Sequence, residues 1–280
     1  MTAPALLSST AEVRTFRAAS GARVAFVPTM GALHNGHASL MKLARERVGA
    51  DGVVIVSIFV NPLQFGAGED LDRYPRTLEA DLKICEREGV DAVFAPSVED
   101  VYPGGEPQVR ITPGPVADIL EGAVREGHFG GVLTVVGKLF GLVQPNIAIF
   151  GEKDYQQLAL IRRMVQDLNM PIEIVGAPTE REPDGLALSS RNVYLSPADR
   201  RLAAYLSKAL RAGQGAAANG AEAARAAASA VLEEVGITPD YLVVTAKDLS
   251  DPVPGEGRML LAARVGTTRL IDNVLVNIGG

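Results

Sequence analysis

The residues best suited to chemistry sit together near the start of the chain. Met30-Gly31-Ala32-Leu33-His34-Asn35-Gly36-His37 carries two of the three histidines in a sequence of 280 residues. Imidazoles can donate hydrogen bonds to phosphate oxygens, and a glycine between them lets backbone approach an anion closely. The segment follows a β-branched run, Arg23 to Pro28, and opens an amphipathic stretch, so it reads as a strand-to-helix junction. In an open α/β sheet, ligands bind at the carboxyl ends of strands, and helix N-termini attract phosphates. The same pair could be half of a metal site or a plain surface pair. No third ligand of suitable type lies close in sequence, which weakens the metal reading. Spacing and location alone leave these alternatives open.

Other familiar constellations fail on inspection. Gly137-Lys138 ends like a phosphate-binding loop, but Val132 stands where its first glycine should be and Leu139 replaces Ser or Thr. No G-x-G-x-x-G follows the first apolar run, and no G-x-S-x-G elbow appears, which argues against a nicotinamide-type dinucleotide site and an α/β-hydrolase. Cys85, within Leu-Lys-Ile-Cys-Glu-Arg, reads as a helix residue at the core or its boundary rather than a nucleophile.

The elements that must position these groups alternate in period. Arg23 to Pro28, Val53 to Val60 and Asp91 to Pro96 are short apolar runs of the kind buried on both faces of a parallel sheet. Helical stretches near His37 to Arg47 and Arg76 to Glu88 separate them. The pattern continues with a helix near Gly131 to Val143, a strand at Asn146 to Phe150, a helix near Tyr155 to Leu168 and a strand at Ile172 to Gly176. It predicts a Rossmann-like, doubly wound parallel α/β sheet.

The texture changes after about Thr179. Ser196-Pro197 reads as an N-cap with proline at the first helical position, and Gly213 as the stop of that helix. Asn219 and Glu222 resemble a capping box opening an Ala-rich helix that ends by Gly236. Strands are expected at Asp240 to Thr245, Arg258 to Val265 and Thr268 to Asn273. The expectation is therefore a domain over 1–179 and a smaller C-terminal α+β domain over 180–280, with no internal repeat.

Composition narrows the function classes. At 47% hydrophobic and 21% charged, the chain is too apolar for a disordered state. A formal charge of −6 has the wrong sign for general nucleic-acid binding. A single cysteine excludes an internal disulfide and a Cys-rich zinc site. No apolar run approaches the ~18–20 residues of a membrane span, and the first residues lack a basic region followed by a long apolar core. A cytoplasmic protein with no membrane or nucleic-acid partner is expected.

Five segments in register carry a resemblance over almost the whole chain. They are Pro28 to His37, Phe59-Val60-Asn61-Pro62-Leu63-Gln64-Phe65, Arg125 to Val132 (REGHFGGV), Phe150-Gly151-Glu152-Lys153-Asp154-Tyr155-Gln156-Gln157, and Arg181 to Asn192 (REPDGLALSSRN). Together they resemble the pantoate–β-alanine ligase family of the nucleotidylyltransferase superfamily. Asn35 stands where glutamate is more common and Leu188 where methionine precedes Ser-Ser-Arg; neither removes a group the chemistry needs.

The resemblance implies an ATP-dependent, AMP-forming ligase that joins (R)-pantoate to β-alanine through pantoyl adenylate, with Mg²⁺. It implies that His34, His37 and Lys153 are catalytic, His37 being the family's proposed general acid. Nucleotide contacts would come from Met30, Gly31, Ala32, Leu33, His34, Asn35, Gly36 and His37, from Gly151, Glu152, Lys153 and Asp154, and from Glu180, Leu188, Ser189, Ser190 and Arg191. Ser189 to Arg191 resemble a loop that closes over phosphates, which makes the smaller domain a lid. Gln64 and Gln157 would bind pantoate, because neutral amides hold a carboxylate and hydroxyls without blunting the nucleophile. Arg125 and His128 match family positions without an assigned role, the metal's protein ligands are unassigned, and a homodimer is expected from the family alone. The competing readings are another nucleotidylyltransferase, which should lack the surroundings of Gln64 and Gln157, and a non-catalytic nucleotide-binding module.

Overall fold

The β-branched runs become strands buried on both faces. A computed structural model describes residues 3–66, 68, 69 and 71–280. In it, β1 is Ala5–Leu7, β2 Val24–Thr29, β3 Val53–Ile58, β4 Ala92–Phe94, β5 Ile147–Gly151 and β6 Glu173–Ala177. Every pairing among them is parallel, in the order β1-β4-β3-β2-β5-β6. Val24 to Val27, Ile55, Val56, Val93 and Ile149 are wholly buried. Each Val, Ile or Phe side chain among them contributes ~1.5–3 kcal/mol by leaving water. The helices are α1 Thr10–Ala19, α2 Asn35–Val48, α3 Leu78–Arg87, α4 Val98–Val101, α5 Glu121–Val124, α6 His128–Val143 and α7 Tyr155–Asp167.

This is the expected doubly wound sheet, with two additions at its start. The strand β1 and helix α1 precede the first strand read from the sequence. β1 has three residues with only Leu7 buried, too short a pattern to signal a strand. The sheet's direction of growth reverses at β2: β3 and β4 follow on one side, β5 and β6 on the other. The carboxyl ends of β2 and β5 therefore lie side by side, the position at which such sheets bind ligands.

The C-terminal part is α+β. Helices α8 Pro197–Ala216 and α9 Ala221–Glu233 precede an antiparallel sheet of β7 Pro239–Ala246, β8 Gly255–Val265 and β9 Thr268–Ile278, in that order. Its core joins Leu206, Leu210, Leu232, Met259 and Leu261. Ser196 caps α8 as expected, its side chain accepting from the Asp199 amide. Two local expectations need correction. Gly213 lies inside α8 and does not end it; a Cβ there would stand 2.4 Å from Met259 Sδ and 2.8 Å from the Ala224 carbonyl, so the glycine serves close packing. Asn219 does not cap α9; Gly220, at φ +101°, is the cap residue and no side chain bonds the first turn.

The chain divides into two compact units, Met1–Glu152 with Leu160–Ala177, and Lys153–Ala159 with Pro178–Gly280. Relative to a boundary near 179, this places the seven residues from Lys153 to Ala159 in the second unit.

Candidate active site

The backbone leaving β2 is shaped by a buried carboxylate. Gly31 and Ala32 both adopt positive φ, +82° and +50°. The second is unusual for a residue with a Cβ. Asp81 on α3, only 1% exposed, accepts the Ala32 amide at 3.1 Å and the Leu33 amide at 2.8 Å. Thr77 donates its hydroxyl to the same carboxylate at 3.1 Å. Thr29 accepts the Gly31 amide while donating to the Ser57 carbonyl at the end of β3. A Cβ on Gly31 would lie a tight 3.0 Å from Asp81 Oδ2, so glycine is favoured by contact as well as by φ.

The loop delivers His34 and His37 to the start of α2. His34 is the cap residue, and its Nδ1 accepts the Gly36 amide at 3.1 Å. His37 reciprocates, its Nδ1 accepting the His34 amide at 3.2 Å. The ring centroids are 4.2 Å apart. A ring nitrogen that accepts from an amide must present a lone pair, so each neutral ring carries its proton on Nε2. The pair is thus built as two N–H donors of fixed tautomer at a helix start, where the macrodipole favours negative charge. The Gly36 amide is itself engaged by His34.

Gln64 is held beside this loop. The 3₁₀ turn Pro62–Gln64 is capped by Asn61, whose four hydrogen-bonding positions are all used. Its Nδ2 donates to Gln64 Oε1 and to the Gly131 carbonyl, each at 3.1 Å, and its Oδ1 accepts from Leu63 N and, at 2.8 Å, from the Tyr102 hydroxyl. Burial pushes the Tyr102 phenol well above its ordinary range, so it stays a donor. The Gln64 Nε2 lies 3.2 Å from Met30 Sδ. The turn and the histidine loop are therefore directly linked, and Gln64 is 9% exposed rather than solvated. Gly151 ends β5 and Glu152 follows it in the same unit.

The second unit holds the other candidates: Lys153 and Asp154 in the 3₁₀ turn before α7, Gln157 in the first turn of α7, and Glu180, Leu188, Ser189, Ser190 and Arg191. Lys153 is mostly covered, and its carbonyl accepts from Asn273 Nδ2 at 2.9 Å. Asn273 on β9 also accepts from Arg258, whose guanidinium stacks 4.2 Å from the Tyr155 ring centroid. Asp272, 4% exposed, grips Arg181 with two bonds of 2.7 and 2.9 Å. Arg181 and Ala187 form a short antiparallel bridge, and the Leu188 amide donates to the Glu180 carbonyl. The loop from Glu180 to Leu188 is thereby folded back on itself. Ser189 caps the 3₁₀ turn Ser190–Tyr194 by accepting the Arg191 amide.

Sequence reasoning missed Asp81, Tyr102, Asp272 and Asn273. Asp81 had a signal: it lies four residues before buried Cys85 on α3, so a carboxylate occupies the core-facing side of a helix. The others act through contacts between distant segments and had none.

The sequence model of pantoate–β-alanine ligase matches residues 5–275. The chain belongs to the pantoate–β-alanine ligase family. A pantothenate synthetase of Nocardioides sp. is 61% identical over 289 residues, covering 99% of this chain and 86% of its own. One from Salinispora arenicola is 57% identical, covering 98% of both chains. Among solved structures, the Thermus thermophilus pantothenate synthetase superposes with a TM-score of 0.89 at 50% identity, covering 96% of this chain and 98% of its own. The Francisella tularensis pantoate–β-alanine ligase, complexed with β-γ ATP and β-alanine, gives 0.81 at 39% identity and covers 98% of each chain. The family's parallel sheet and separate small antiparallel sheet are those described above. Among the described residues no helix is long and apolar enough to cross a membrane.

Proposed function

We propose that this chain condenses pantoate with β-alanine at the expense of ATP, releasing pyrophosphate and then AMP. The observation that carries the proposal is the reciprocal His34–His37 cap at the carboxyl end of β2, a rigid pair of N–H donors where the sheet's strand order reverses. In the first step a pantoate carboxylate oxygen attacks the α-phosphorus and the bond to the pyrophosphate oxygen breaks. In the second, the β-alanine amine attacks the acyl carbon, AMP leaves with the carboxylate oxygen, and the amine gives up a proton.

The obstacle to the first step is repulsion between a carboxylate and a polyanionic triphosphate. Preorganised donors that meet charge as it develops lower that barrier without reorganising. In this reading His34 and His37 supply them through Nε2, with His37 as the general acid. Lys153 adds a point charge, and Ser189, Ser190 and Arg191 add donors to the phosphates. Gln64 and Gln157 hold pantoate through neutral amides, which leaves its carboxylate nucleophilic. The smaller unit, which carries Ser189 to Arg191, is read as the lid that excludes water.

Mg²⁺ enters this reading as part of the substrate, MgATP. Among the described residues no three His, Cys, Asp or Glu side chains form a metal-holding group. In nucleotide sites Mg²⁺ is usually carried mainly by phosphates and water. When bound, the ion supplies neutralisation of phosphate charge. A cytoplasmic homodimer is part of the same proposal and is checked by light scattering of the purified protein.

The test is pyrophosphate release with ATP, Mg²⁺ and pantoate, with and without β-alanine. The reading predicts release that depends on pantoate, and a drop of ~10²–10³ in rate for His37→Ala, the usual loss for one preorganised donor. Release independent of pantoate would favour a different nucleotidylyltransferase, and ATP binding without release a non-catalytic module.

A further inference from the structure

Two of the five sequence segments, Phe59 to Phe65 and Arg125 to Val132, lie about sixty residues apart in sequence, yet parts of both fold together around Gln64. The first turn of α6 is pressed onto the Pro62–Gln64 turn. A Cβ at Gly131 would stand 2.1 Å from the Leu63 carbonyl oxygen and 2.7 Å from the Gln64 amide, so only glycine allows that approach. At the same place two side chains converge on the Gln64 backbone carbonyl. His128 Nδ1 lies 2.8 Å from it and Arg125 Nη2 donates to it at 3.3 Å.

The network dictates its own polarity. Arg125 Nη1 lies 3.0 Å from His128 Nε2, and a guanidinium can only donate, so Nε2 must be the acceptor. The proton of the imidazole is then on Nδ1, which donates to the Gln64 carbonyl. This tautomer is the opposite of the one set for His34 and His37. The remaining edge of Arg125 is taken by Glu69, with Nε at 2.8 Å and Nη2 at 2.7 Å from its two carboxylate oxygens. Arg125 holds the Glu69 carboxyl below its ordinary value, against the opposing effect of burial. Glu69 thus fixes the fork, the fork orients the imidazole, and both hold the carbonyl of the residue whose side chain Asn61 already holds.

We infer that Arg125 and His128 are positioning residues for pantoate, acting through the Gln64 backbone, with Glu69 setting the orientation of Arg125. The inference rests on the reading of Gln64 as a pantoate-binding amide. Neither residue needs to touch substrate. Their effect is to remove the freedom of the Pro62–Gln64 turn, so that the amide meets pantoate already oriented.

The experiment is steady-state kinetics on Gln64→Ala, His128→Ala, His128→Asn, Arg125→Ala and the double variant Gln64→Ala/His128→Ala, with thermal midpoints recorded for each. His128→Ala and Arg125→Ala should each raise KM for pantoate about three- to ten-fold, the loss of one ordinary hydrogen bond, and leave KM for ATP unchanged. His128→Asn should recover most of the loss, because its amide nitrogen can stand where Nδ1 stands. In the double variant, His128→Ala should add little to Gln64→Ala, since a residue acting through another loses its effect when that other is gone. Additive losses, or equal increases in KM for ATP and pantoate, would overturn the positioning role while leaving Gln64 as assigned. A Gln64→Ala variant with unchanged KM for pantoate would instead overturn the reading of Gln64 and the inference with it. Should His128→Ala not fold, Arg125→Ala decides the same question from the other donor.

Discussion

Replacing Asp81 should damage adenylation through the backbone of the histidine loop. Its carboxylate accepts the amides of Ala32 and Leu33 and the hydroxyl of Thr77, and it is almost wholly buried. Hydrogen bonds to a charged group contribute ~1.5–3 kcal/mol each, and stranding a buried amide costs ~1–3 kcal/mol. Asp81→Ala strands two amides that are partly buried, which gives a loss of about 2–4 kcal/mol in unfolding free energy. Asp81→Asn keeps one acceptor and turns an NH₂ toward the other amide, for a loss of about 1.5–3 kcal/mol. Ala32 is held at φ +50° by these bonds, and once released it has reason to relax toward negative φ. His34 lies two residues on, and a shift of ~1 Å in a catalytic group can cost about 10²-fold. The expected result in pantoate-dependent pyrophosphate release is a 10- to 100-fold lower kcat for Asp81→Asn, at about one to two orders of magnitude by that reasoning. Thr77→Ala, which leaves both amides held, should cost less than about 1.5 kcal/mol and little rate. Urea denaturation of the same preparations gives the stability term. Asp81→Asn with stability within about 0.5 kcal/mol of the parent and nearly unchanged kcat would refute the argument that this carboxylate shapes the loop.

Asn273→Ala should act on the nucleotide side, because it strands the Lys153 carbonyl and releases Arg258. The expected outcome is a rise in KM for ATP of about five-fold or more with KM for pantoate little changed, measured by the same assay. Cys85 should prove inert. Burial, reinforced by the negative charge of Asp81, pushes its thiol from an ordinary 9.0 up to about 12. Because the folded value lies above the unfolded one, its contribution to stability is complete below 9.0 and is lost as pH rises toward about 12. Thiolate absorbance should therefore stay silent in the native protein where the urea-unfolded chain already titrates. Cys85→Ser should leave turnover unchanged, and a native thiol titrating near 9.0 would contradict its placement.

Much of this molecule was legible because burial on both faces leaves continuous apolar runs, and those runs became β2 to β5 within a residue or two. Glycine was harder to read. Gly213 looks like a helix stop, yet it is there because Met259 and the Ala224 carbonyl leave no room for a Cβ. Asn219 looks like a cap, but Gly220 at positive φ takes the turn. The histidine pair was visible from residue type and spacing, whereas what holds it was not. Asp81 lies 49 residues from the Ala32 amide it accepts, and Asn273 lies 120 from the Lys153 carbonyl. Local pattern carries no information on such partners. Arg125 and His128 could be matched to the family but given no task until the fold brought them to the Gln64 carbonyl.

The central claim is that pantoate is activated as a noncovalently held adenylate before the amine arrives. Rapid quench of the enzyme with labelled pantoate, ATP and Mg²⁺, with β-alanine left out, tests it most directly. The account predicts a burst of pyrophosphate matched by pantoyl adenylate that denaturation releases from the protein. No α-phosphate transfer until β-alanine is added, or pantoyl label that survives denaturation on the polypeptide, would contradict it.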